Sequence, residues 1–246
     1  MIGGGYIGLE VAATLAKSGK DVTVIEAAPR LLARVASLAI SAFFADLQED
    51  AGTTVITDAE VEDIAADNGG FSHVSLSDGR QLSADMLVVG IGVTPETALA
   101  EVAGIQTGNG ILVNAGIQIS MSGVYAIGDG ALQWDSSFGL RIESVHNAQD
   151  SAERAAAAIN VHVPLTVQAP WVWSEQFGLR LQSADIVPAA ADDVMCLRRP
   201  GKRADSFSFW SFRGDELRAV EAIGDPGDYM LGKTCLEKGL SQYTTP

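Results

Sequence analysis

The glycine-rich run at residues 3–8, GGGYIG, constrains the fold of this chain more than any other stretch. It follows the start of an apolar strand and precedes a helical pattern, which is the fingerprint of a dinucleotide-binding βαβ unit. Gly3 allows the tight turn after the strand, Gly5 lets the backbone approach a pyrophosphate, and Gly8 lets the helix pack close to the sheet. The exposed amides at the start of the helix then face the phosphate charge. The alternative is an ordinary βαβ turn, because glycines also occur wherever a backbone must bend.

Glu26 indicates which nucleotide this unit binds. It closes the second apolar strand, near the spacing of about 20 residues that the ribose-binding acid has in this motif. A carboxylate accepts hydrogen bonds from the ribose 2′-hydroxyl and repels a 2′-phosphate. The sequence therefore predicts NAD rather than NADP. Arg30 lies close enough in sequence to weaken this discrimination.

Composition argues against several kinds of function. The formal charge of −15 and the pI near 4.4 argue against nucleic acid or an anionic membrane as a partner. No apolar run approaches the length of a membrane span. Cys196 and Cys235 lack metal-type spacing and the three histidines form no ligand pattern, so no protein-bound metal is expected. The sparse cysteines also fit a reducing cytoplasm.

The segments that follow the βαβ start predict an α/β domain with an antiparallel insertion. Residues 86–89 form a fully apolar run, which predicts a strand in a sheet covered on both faces. Only two residues precede the glycine run, so the chain is expected to begin inside its first strand. A small antiparallel meander is predicted at residues 54–57, 61–65 and 74–76.

Two boundaries divide the rest of the chain, and the part after the second, at Pro164 and Pro170, is predicted to be antiparallel in character. Thr94-Pro95 and Pro164 mark the plausible boundaries, because proline biases the preceding residue away from helix. A helix rich in alanine is predicted at residues 144–159, and a last helix at 229–238. Strands are predicted near residues 179–183, 194–198, 207–213 and 217–223.

Three segments in this order resemble one family: residues 2–10 (IGGGYIGLE), 123–129 (GVYAIGD) and 170–176 (PWVWSEQ). They are similar to segments of the NADH-dependent, FAD-containing ferredoxin and rubredoxin reductases, which supply electrons to oxygenases and P450s and are relatives of apoptosis-inducing factor. The resemblance covers nearly the whole chain. Members of this family begin with an FAD-binding half that carries its own GxGxxG. That half is absent here, so the resemblance is to the C-terminal part, and the chain alone is expected to bind FAD poorly.

The resemblance implies a division into three domains. Residues 1–94 would form a Rossmann-like NAD-binding domain with a truncated first strand. Residues 95–163 would be the C-terminal part of a second Rossmann-like domain, which binds FAD. Residues 164–246 would form an α+β reductase domain with an antiparallel sheet. The expected reaction passes a hydride from NADH to FAD and then single electrons to a ferredoxin or rubredoxin, without any side chain acting as acid, base or nucleophile.

The resemblance also implies roles for individual residues. Asp129, beside Gly128, would bind the ribityl chain of FAD, and the helix starting at Val145 would direct its positive end at the flavin pyrimidine. Glu10 would reach the nicotinamide carboxamide, and Trp173 would lie at the flavin edge. The alternatives without a binding role are a turn aspartate for Asp129, a polar residue on the first helical turn for Glu10 and a core tryptophan for Trp173. The full set of predicted cofactor-binding residues is Gly3, Gly5, Tyr6, Ile7, Gly8, Glu10, Glu26, Arg34, Gly92, Gly128, Asp129, Val145 and Trp173. Of these, Gly92 would line the nicotinamide channel and Arg34 would lie near the adenine or be a solvated surface charge.

Two other functions stay open at this point. One is an NADH oxidase or disulfide reductase on the same scaffold, whose reactive cysteines would lie in the absent half. The other is a nucleotide-binding remnant without turnover. A positive cluster in the otherwise acidic chain is either a solvated hairpin or a docking patch for an acidic ferredoxin. This cluster consists of Arg198, Arg199, Lys202 and Arg203.

Overall fold

The computed structural model describes residues 1–67, 69–134, 139–160, 168–185, 187 and 193–239. These residues form two compact units. Unit 1 contains Met1–Gly92 and Trp173–Cys235, and unit 2 contains Val93–Val172 and Leu236–Lys238. The α/β fold class with a C-terminal antiparallel sheet is confirmed. The division into three domains at residues 94 and 163 stays a prediction.

Helices and strands occur throughout the described residues. In order these are α1 (Tyr6–Lys17), β1 (Thr23–Ile25), α2 (Leu38–Asp50), β2 (Thr54–Ile56), β3 (Val61–Asp67), β4 (Gly70–Leu76), β5 (Gln81–Ser83), α3 (Ala98–Val102), β6 (Thr107–Gly108), β7 (Gly110–Val113), a 3-10 turn (Gly128–Gly130), β8 (Ala131–Trp134), β9 (Gly139–Arg141), α4 (Val145–Ile159), β10 (Trp171–Gln176), β11 (Leu179–Ala184), β12 (Val194–Pro200), β13 (Phe207–Arg213), β14 (Glu216–Ile223) and α5 (Pro226–Glu237). No described helix is long and apolar enough to cross a membrane.

Unit 1 begins with a parallel arrangement centred on Ile2. Ile2 forms parallel bridges with both Ile25 and Val89, and β1 pairs in parallel with β2. In space the order is β2, β1, Ile2 and Val89. This is the 3-2-1-4 order of the Rossmann fold, so the topology agrees with the glycine fingerprint.

Two predictions about this sheet need correction. Residues 54–56 were expected in the antiparallel meander, but they form β2 in the parallel sheet. The meander consists of β3, β4 and β5 alone. The apolar run at residues 86–89 was expected to be covered on both faces, yet Met86 is 67% exposed and Val89 is 52% exposed. Val89 bridges Ile2 on one side and forms no further bridge among the described residues, so this run lies at the edge of the parallel arrangement.

The helices of unit 1 and its C-terminal sheet share one hydrophobic core. On α1, Leu9 is fully buried, and on α2, Phe44 is fully buried. They pack in one cluster with Phe207 and Ile223 of the C-terminal sheet. Burial of each such side chain contributes about 1.5–3 kcal/mol. The core therefore ties the C-terminal sheet directly to the helices that flank the glycine turn.

The C-terminal sheet of unit 1 has the order β10-β11-β14-β13-β12. The pairs of β11 with β14, β14 with β13 and β13 with β12 are antiparallel, as the sequence predicts. α5 buries Tyr229 and Cys235, and a side chain at Gly232 would overlap Val220 of β14. The glycine therefore permits the helix to lie close to the central strand.

Unit 2 is a four-stranded sheet with one long helix. β7 pairs in parallel with β8, while β6 and β9 are antiparallel to their neighbours. The predicted alanine-rich helix is α4, and Ser144 caps it by accepting a hydrogen bond from the amide of Asn147 at 3.1 Å. Its buried Ala155 packs with Val113 and Ile117. The 3-10 turn that contains Asp129 directly precedes β8 and is joined to α4 by a hydrogen bond from the Gly128 amide to the Ser151 hydroxyl.

Candidate nucleotide-binding site

The glycine turn at the start of α1 excludes side chains for steric reasons. Gly3 has a φ of 102°, a backbone conformation that favours glycine. A Cβ at this position would overlap the carbonyl oxygen of Gly90, and a Cβ at Gly8 would overlap the carbonyl oxygen of Gly3. Both glycines therefore allow close contact between strand, turn and helix, which is the role predicted for them.

Gly5 has the opposite surroundings, because a Cβ there would meet no atom within 4 Å. Gly5 is the N-cap of α1, and no side chain caps this helix. α2 and α4, by contrast, each begin with a serine whose hydroxyl accepts a hydrogen bond from a first-turn amide. The first amides of α1 are thus available to an anion, and the open space over Gly5 fits the pyrophosphate of a dinucleotide.

The first turn of α1 carries two further predicted residues. Ile7 is 72% exposed, and the Tyr6 hydroxyl donates to the carbonyl oxygen of Val35 at 3.4 Å. Burial raises the pKa of Tyr6, and the negative charge of Glu221 raises it further. The phenol is therefore neutral and holds the segment at residues 30–37 beside the helix.

Glu26 lies at the end of β1 with its carboxylate fixed over the glycine turn. One oxygen accepts from the Gly4 amide at 2.6 Å and the other from the Ala28 amide at 2.8 Å. A carboxylate has about four lone-pair sites, so acceptor capacity is left for ribose hydroxyls. This geometry suits the ribose-binding role predicted for Glu26.

Arg30 and Arg34 differ in what they contact. The Arg30 guanidinium donates to the carbonyl oxygens of Ala36 at 3.0 Å and Ala33 at 2.7 Å, so it is held on its own loop. The exposed Arg34 guanidinium lies 3.3 Å from the position that a Cβ on Gly92 would occupy. The structure thus brings Arg34 and Gly92 together, while their predicted roles stay predictions.

Glu10 joins the first and third of the segments singled out by sequence. Its Oε1 accepts from the Ser174 hydroxyl at 2.8 Å and from the Glu175 amide at 3.1 Å. Trp173, which precedes Ser174 on β10, is 38% exposed. Sequence analysis named Glu10 and Trp173 but missed Ser174, whose signal was its place in the run PWVWSEQ.

In unit 2 the structure places Gly128, Asp129 and Val145 around the start of α4. The Gly128 amide donates to the Ser151 hydroxyl of this helix at 2.9 Å. The Asp129 side chain is exposed and, among the described residues, has no hydrogen bond or ion pair. Val145 is the first residue of α4 and is 57% exposed. An open carboxylate close to a helix N-terminus fits a ligand that offers hydroxyl groups and a polar ring edge.

Glu221 is a buried acid that sequence analysis did not identify. It lies on β14 with no exposed surface. Its Oε1 accepts from the Ser37 amide at 3.0 Å, and its Oε2 has no hydrogen-bond partner. Burial raises its pKa to about 7, although the Ser37 hydrogen bond and the charge of Arg30 act in the opposite direction.

The positive cluster near residues 198–203 is not one continuous patch. Arg198 and Arg199 are neighbours on β12 and therefore point to opposite faces of the sheet. The Arg198 guanidinium lies 4.8 Å from the ring centre of Phe207. The Arg199 guanidinium lies 4.7 Å from that of Trp210 and 3.4 Å from Asp228. Arg199 is thus held on the α5 side of the sheet, and the docking role of the cluster stays a prediction.

No metal centre accompanies these sites in the part of the chain that the structure describes. There, no group of three or more histidine, cysteine, aspartate or glutamate side chains is placed to hold a metal ion. Neither Cys196 nor Cys235 forms a disulfide bond within the described residues.

Comparison with known proteins agrees with this arrangement. Residues 1–152 match the model of the pyridine nucleotide-disulphide oxidoreductases, and residues 171–244 match that of the reductase C-terminal domain. The ferredoxin reductase subunit of 5,5′-dehydrodivanillate O-demethylase from a Sphingobium species is 40% identical over 97% of this chain and 58% of its own length. Putidaredoxin reductase of Pseudomonas putida is 36% identical over 98% of this chain and 57% of its own length.

A solved structure shows the same fold. The covalent complex of putidaredoxin reductase with putidaredoxin matches with a TM-score of 0.90 and 34% identity, over 98% of this chain and 58% of the matched chain. The chain thus spans less than two thirds of the length of these relatives. The resemblance to ferredoxin and rubredoxin reductases is confirmed, and the chain belongs to the pyridine nucleotide-disulphide oxidoreductase family.

Proposed function

We propose that this protein is an NADH-dependent, FAD-containing reductase that passes electrons to a ferredoxin or rubredoxin. The observation that carries the proposal is the glycine turn, where Glu26 is fixed by two backbone amides beside the uncapped start of α1. This arrangement offers acceptors to an adenosine ribose and donors to a pyrophosphate. The relatives support the choice of an iron-sulfur protein as the electron acceptor, since they are ferredoxin and putidaredoxin reductases.

FAD fits the residues around the start of α4. Asp129 would accept hydrogen bonds from the ribityl hydroxyls, and the helix start at Val145 would stabilise negative charge on the pyrimidine side of the ring. When bound, FAD accepts a hydride and releases single electrons. Gly128 allows the turn that presents Asp129, since its φ is 71°.

The remaining residues bind and orient the nucleotide. Gly3 and Gly8 shape the turn, Gly5 leaves room for the pyrophosphate, and Glu10 orients the nicotinamide. We assign residues 1–94 to NAD binding, 95–163 to FAD binding and 164–246 to a reductase domain. We also propose that Tyr6, Ile7, Arg34, Gly92 and Trp173 contact the bound cofactors.

The alternative of an NADH oxidase or disulfide reductase is not favoured by the relatives. We place the protein in a reducing cytoplasm, because the chain has only two cysteines and the described residues contain no disulfide bond between them.

The proposal is tested by following flavin absorbance in the full-length protein after mixing with NADH. Bleaching of the flavin and subsequent reduction of a plant-type or vertebrate-type ferredoxin are expected. A flavin that NADH reduces, but that passes electrons only to oxygen or to a disulfide, would favour the alternative function. A protein that NADH does not reduce would overturn both.

A further inference from the structure

A row of hydrogen-bonded, buried polar side chains connects Glu10 to the interior of unit 1. The Ser174 hydroxyl donates to Glu10 Oε1 at 2.8 Å, and the Gln176 amide nitrogen contacts the Ser174 hydroxyl at 3.4 Å. The Gln48 amide nitrogen donates both to Gln176 Oε1 at 2.9 Å and to the carbonyl oxygen of Leu9 at 3.1 Å. Ser174, Gln176 and Gln48 are at most 1% exposed. Buried polar groups are costly unless they are hydrogen-bonded, so such a row fixes the side chains that form it.

The two oxygens of Glu10 have different surroundings. Oε1 receives two donors, the Ser174 hydroxyl and the Glu175 amide. No hydrogen bond to Oε2 is formed by any residue within the described ranges. A carboxylate held at one oxygen in this way presents the other in a defined direction, and an ionised carboxylate can only accept hydrogen bonds. Its partner must therefore be a donor, such as the NH₂ group of a carboxamide.

We propose that Ser174 is a positioning residue that orients Glu10 toward the carboxamide of NADH, with Gln176 and Gln48 holding the serine in place. This inference rests on the proposed function. Strand alternation supports it, because Ser174 and Gln176 point into the protein from β10 while Trp173 and Glu175 point outward. The nucleotide-orienting contact and the exposed tryptophan are thus adjacent on one strand.

The variant Ser174→Ala removes the hydroxyl but keeps the size of the buried side chain nearly unchanged. ADP-ribose serves as a probe that lacks the nicotinamide, and NAD⁺ as one that carries it. In calorimetric titrations of the full-length protein, we expect the dissociation constant for NAD⁺ to rise about tenfold and that for ADP-ribose to stay within twofold. The rate of flavin reduction at saturating NADH should also fall, because misorientation affects hydride transfer as well as binding. Ser174→Thr, which keeps a hydroxyl, should restore most of both losses.

Ser211→Ala is the matched control, because Ser211 is a buried serine on β13 of the same sheet. It should change neither titration. If Ser174→Ala leaves NAD⁺ affinity unchanged, or weakens NAD⁺ and ADP-ribose equally, the inference is wrong. The proposed function fails separately, by the absence of flavin reduction in the unmodified protein, so the two failures are distinguishable.

Discussion

Replacing Glu221 by glutamine should make the stability of the protein less dependent on pH between 4.5 and about 7. Glu221 lies on the central strand β14, between Ser183 of β11 and Phe209 of β13. Its Oε2 is buried without a partner, and its charge is opposed only partly by Arg30. The glutamine side chain has the same shape and still offers an oxygen to the Ser37 amide. The substitution therefore removes the charge of Glu221 and leaves the packing around it in place.

The size of the effect follows from the pKa of Glu221. In the folded protein burial raises it from the usual 4.5 to about 7. Between these values the folded state binds more protons than the unfolded chain, so the free energy of unfolding falls as the pH rises from 4.5 to about 7. At about 1.36 kcal/mol for each pH unit, the full loss is about 3 kcal/mol. Above pH 7 the variant should therefore be more stable than the unmodified protein by up to about 3 kcal/mol, and near pH 4.5 the two should be equal.

Urea unfolding followed by tryptophan fluorescence at several pH values between 5 and 8.5 measures this difference. The exposed Glu62 of β3 provides the control, because Glu62→Gln makes the same chemical change on the surface of the same unit. The control should move the urea midpoint by the same small amount at every pH. Equal pH dependence in Glu221→Gln and in the unmodified protein would refute the reasoning, since the buried carboxyl would then not be the group that titrates.

Three further predictions concern the nucleotide and the acceptor. NADH should be used at least tenfold better than NADPH, a difference of about 1.4 kcal/mol, and Glu26→Ala should narrow the ratio of the two kcat/KM values; an unchanged ratio would remove the role of Glu26. Gly5→Ala should leave the melting temperature nearly unchanged, because its Cβ enters open space, but it should weaken NADH binding, because that space is where the pyrophosphate is proposed to bind. Gly8→Ala should lower the melting temperature, because its Cβ overlaps the Gly3 carbonyl. A melting curve and an NADH titration for each variant separate the two effects. If the exposed part of the positive cluster contacts the acceptor, Lys202→Glu combined with Arg203→Glu should reduce the salt dependence of ferredoxin reduction. Stopped-flow rates at low and high ionic strength measure this dependence. If the ratio of the two rates is the same in the variant and in the unmodified protein, the cluster does not contact the acceptor.

Local patterns predicted the elements that depend on neighbouring residues. The glycine turn, the helix pattern after it, the alanine-rich helix α4 and the antiparallel strands of the C-terminal sheet all follow from spacing and turn residues. β2 was assigned to the wrong sheet because a short β-branched run such as residues 53–57 reads the same in a parallel and an antiparallel strand. Its pairing with β1 is decided by the α2 helix between them, which carries the chain back across the sheet.

Contacts between distant residues were not accessible in this way. Glu10 and Ser174 are 164 positions apart, and Ser37 and Glu221 are 184 positions apart. No local period connects them. The one local signal for Glu221 was a charged residue inside an otherwise apolar strand, which indicates either a functional site or a buried acid with a raised pKa. Arg198 and Arg199 illustrate the converse, because residues adjacent in sequence are separated by the alternation of a strand.

The helix that starts at the glycine turn is held from several sides, and this bears on how it can bind a nucleotide. The turn before it is fixed by Glu26 through the Gly4 amide, and the end of its first turn is fixed by Gln48 through the Leu9 carbonyl. Gln48 keeps its own carbonyl oxygen buried without a partner, a defect that costs about 1–3 kcal/mol. The hydrogen bonds that the Gln48 amide nitrogen donates to Leu9 and Gln176 offset part of this cost. Here those contacts place the first-turn amides and Glu10 in fixed positions before any ligand arrives, so binding requires little reorganisation of the helix.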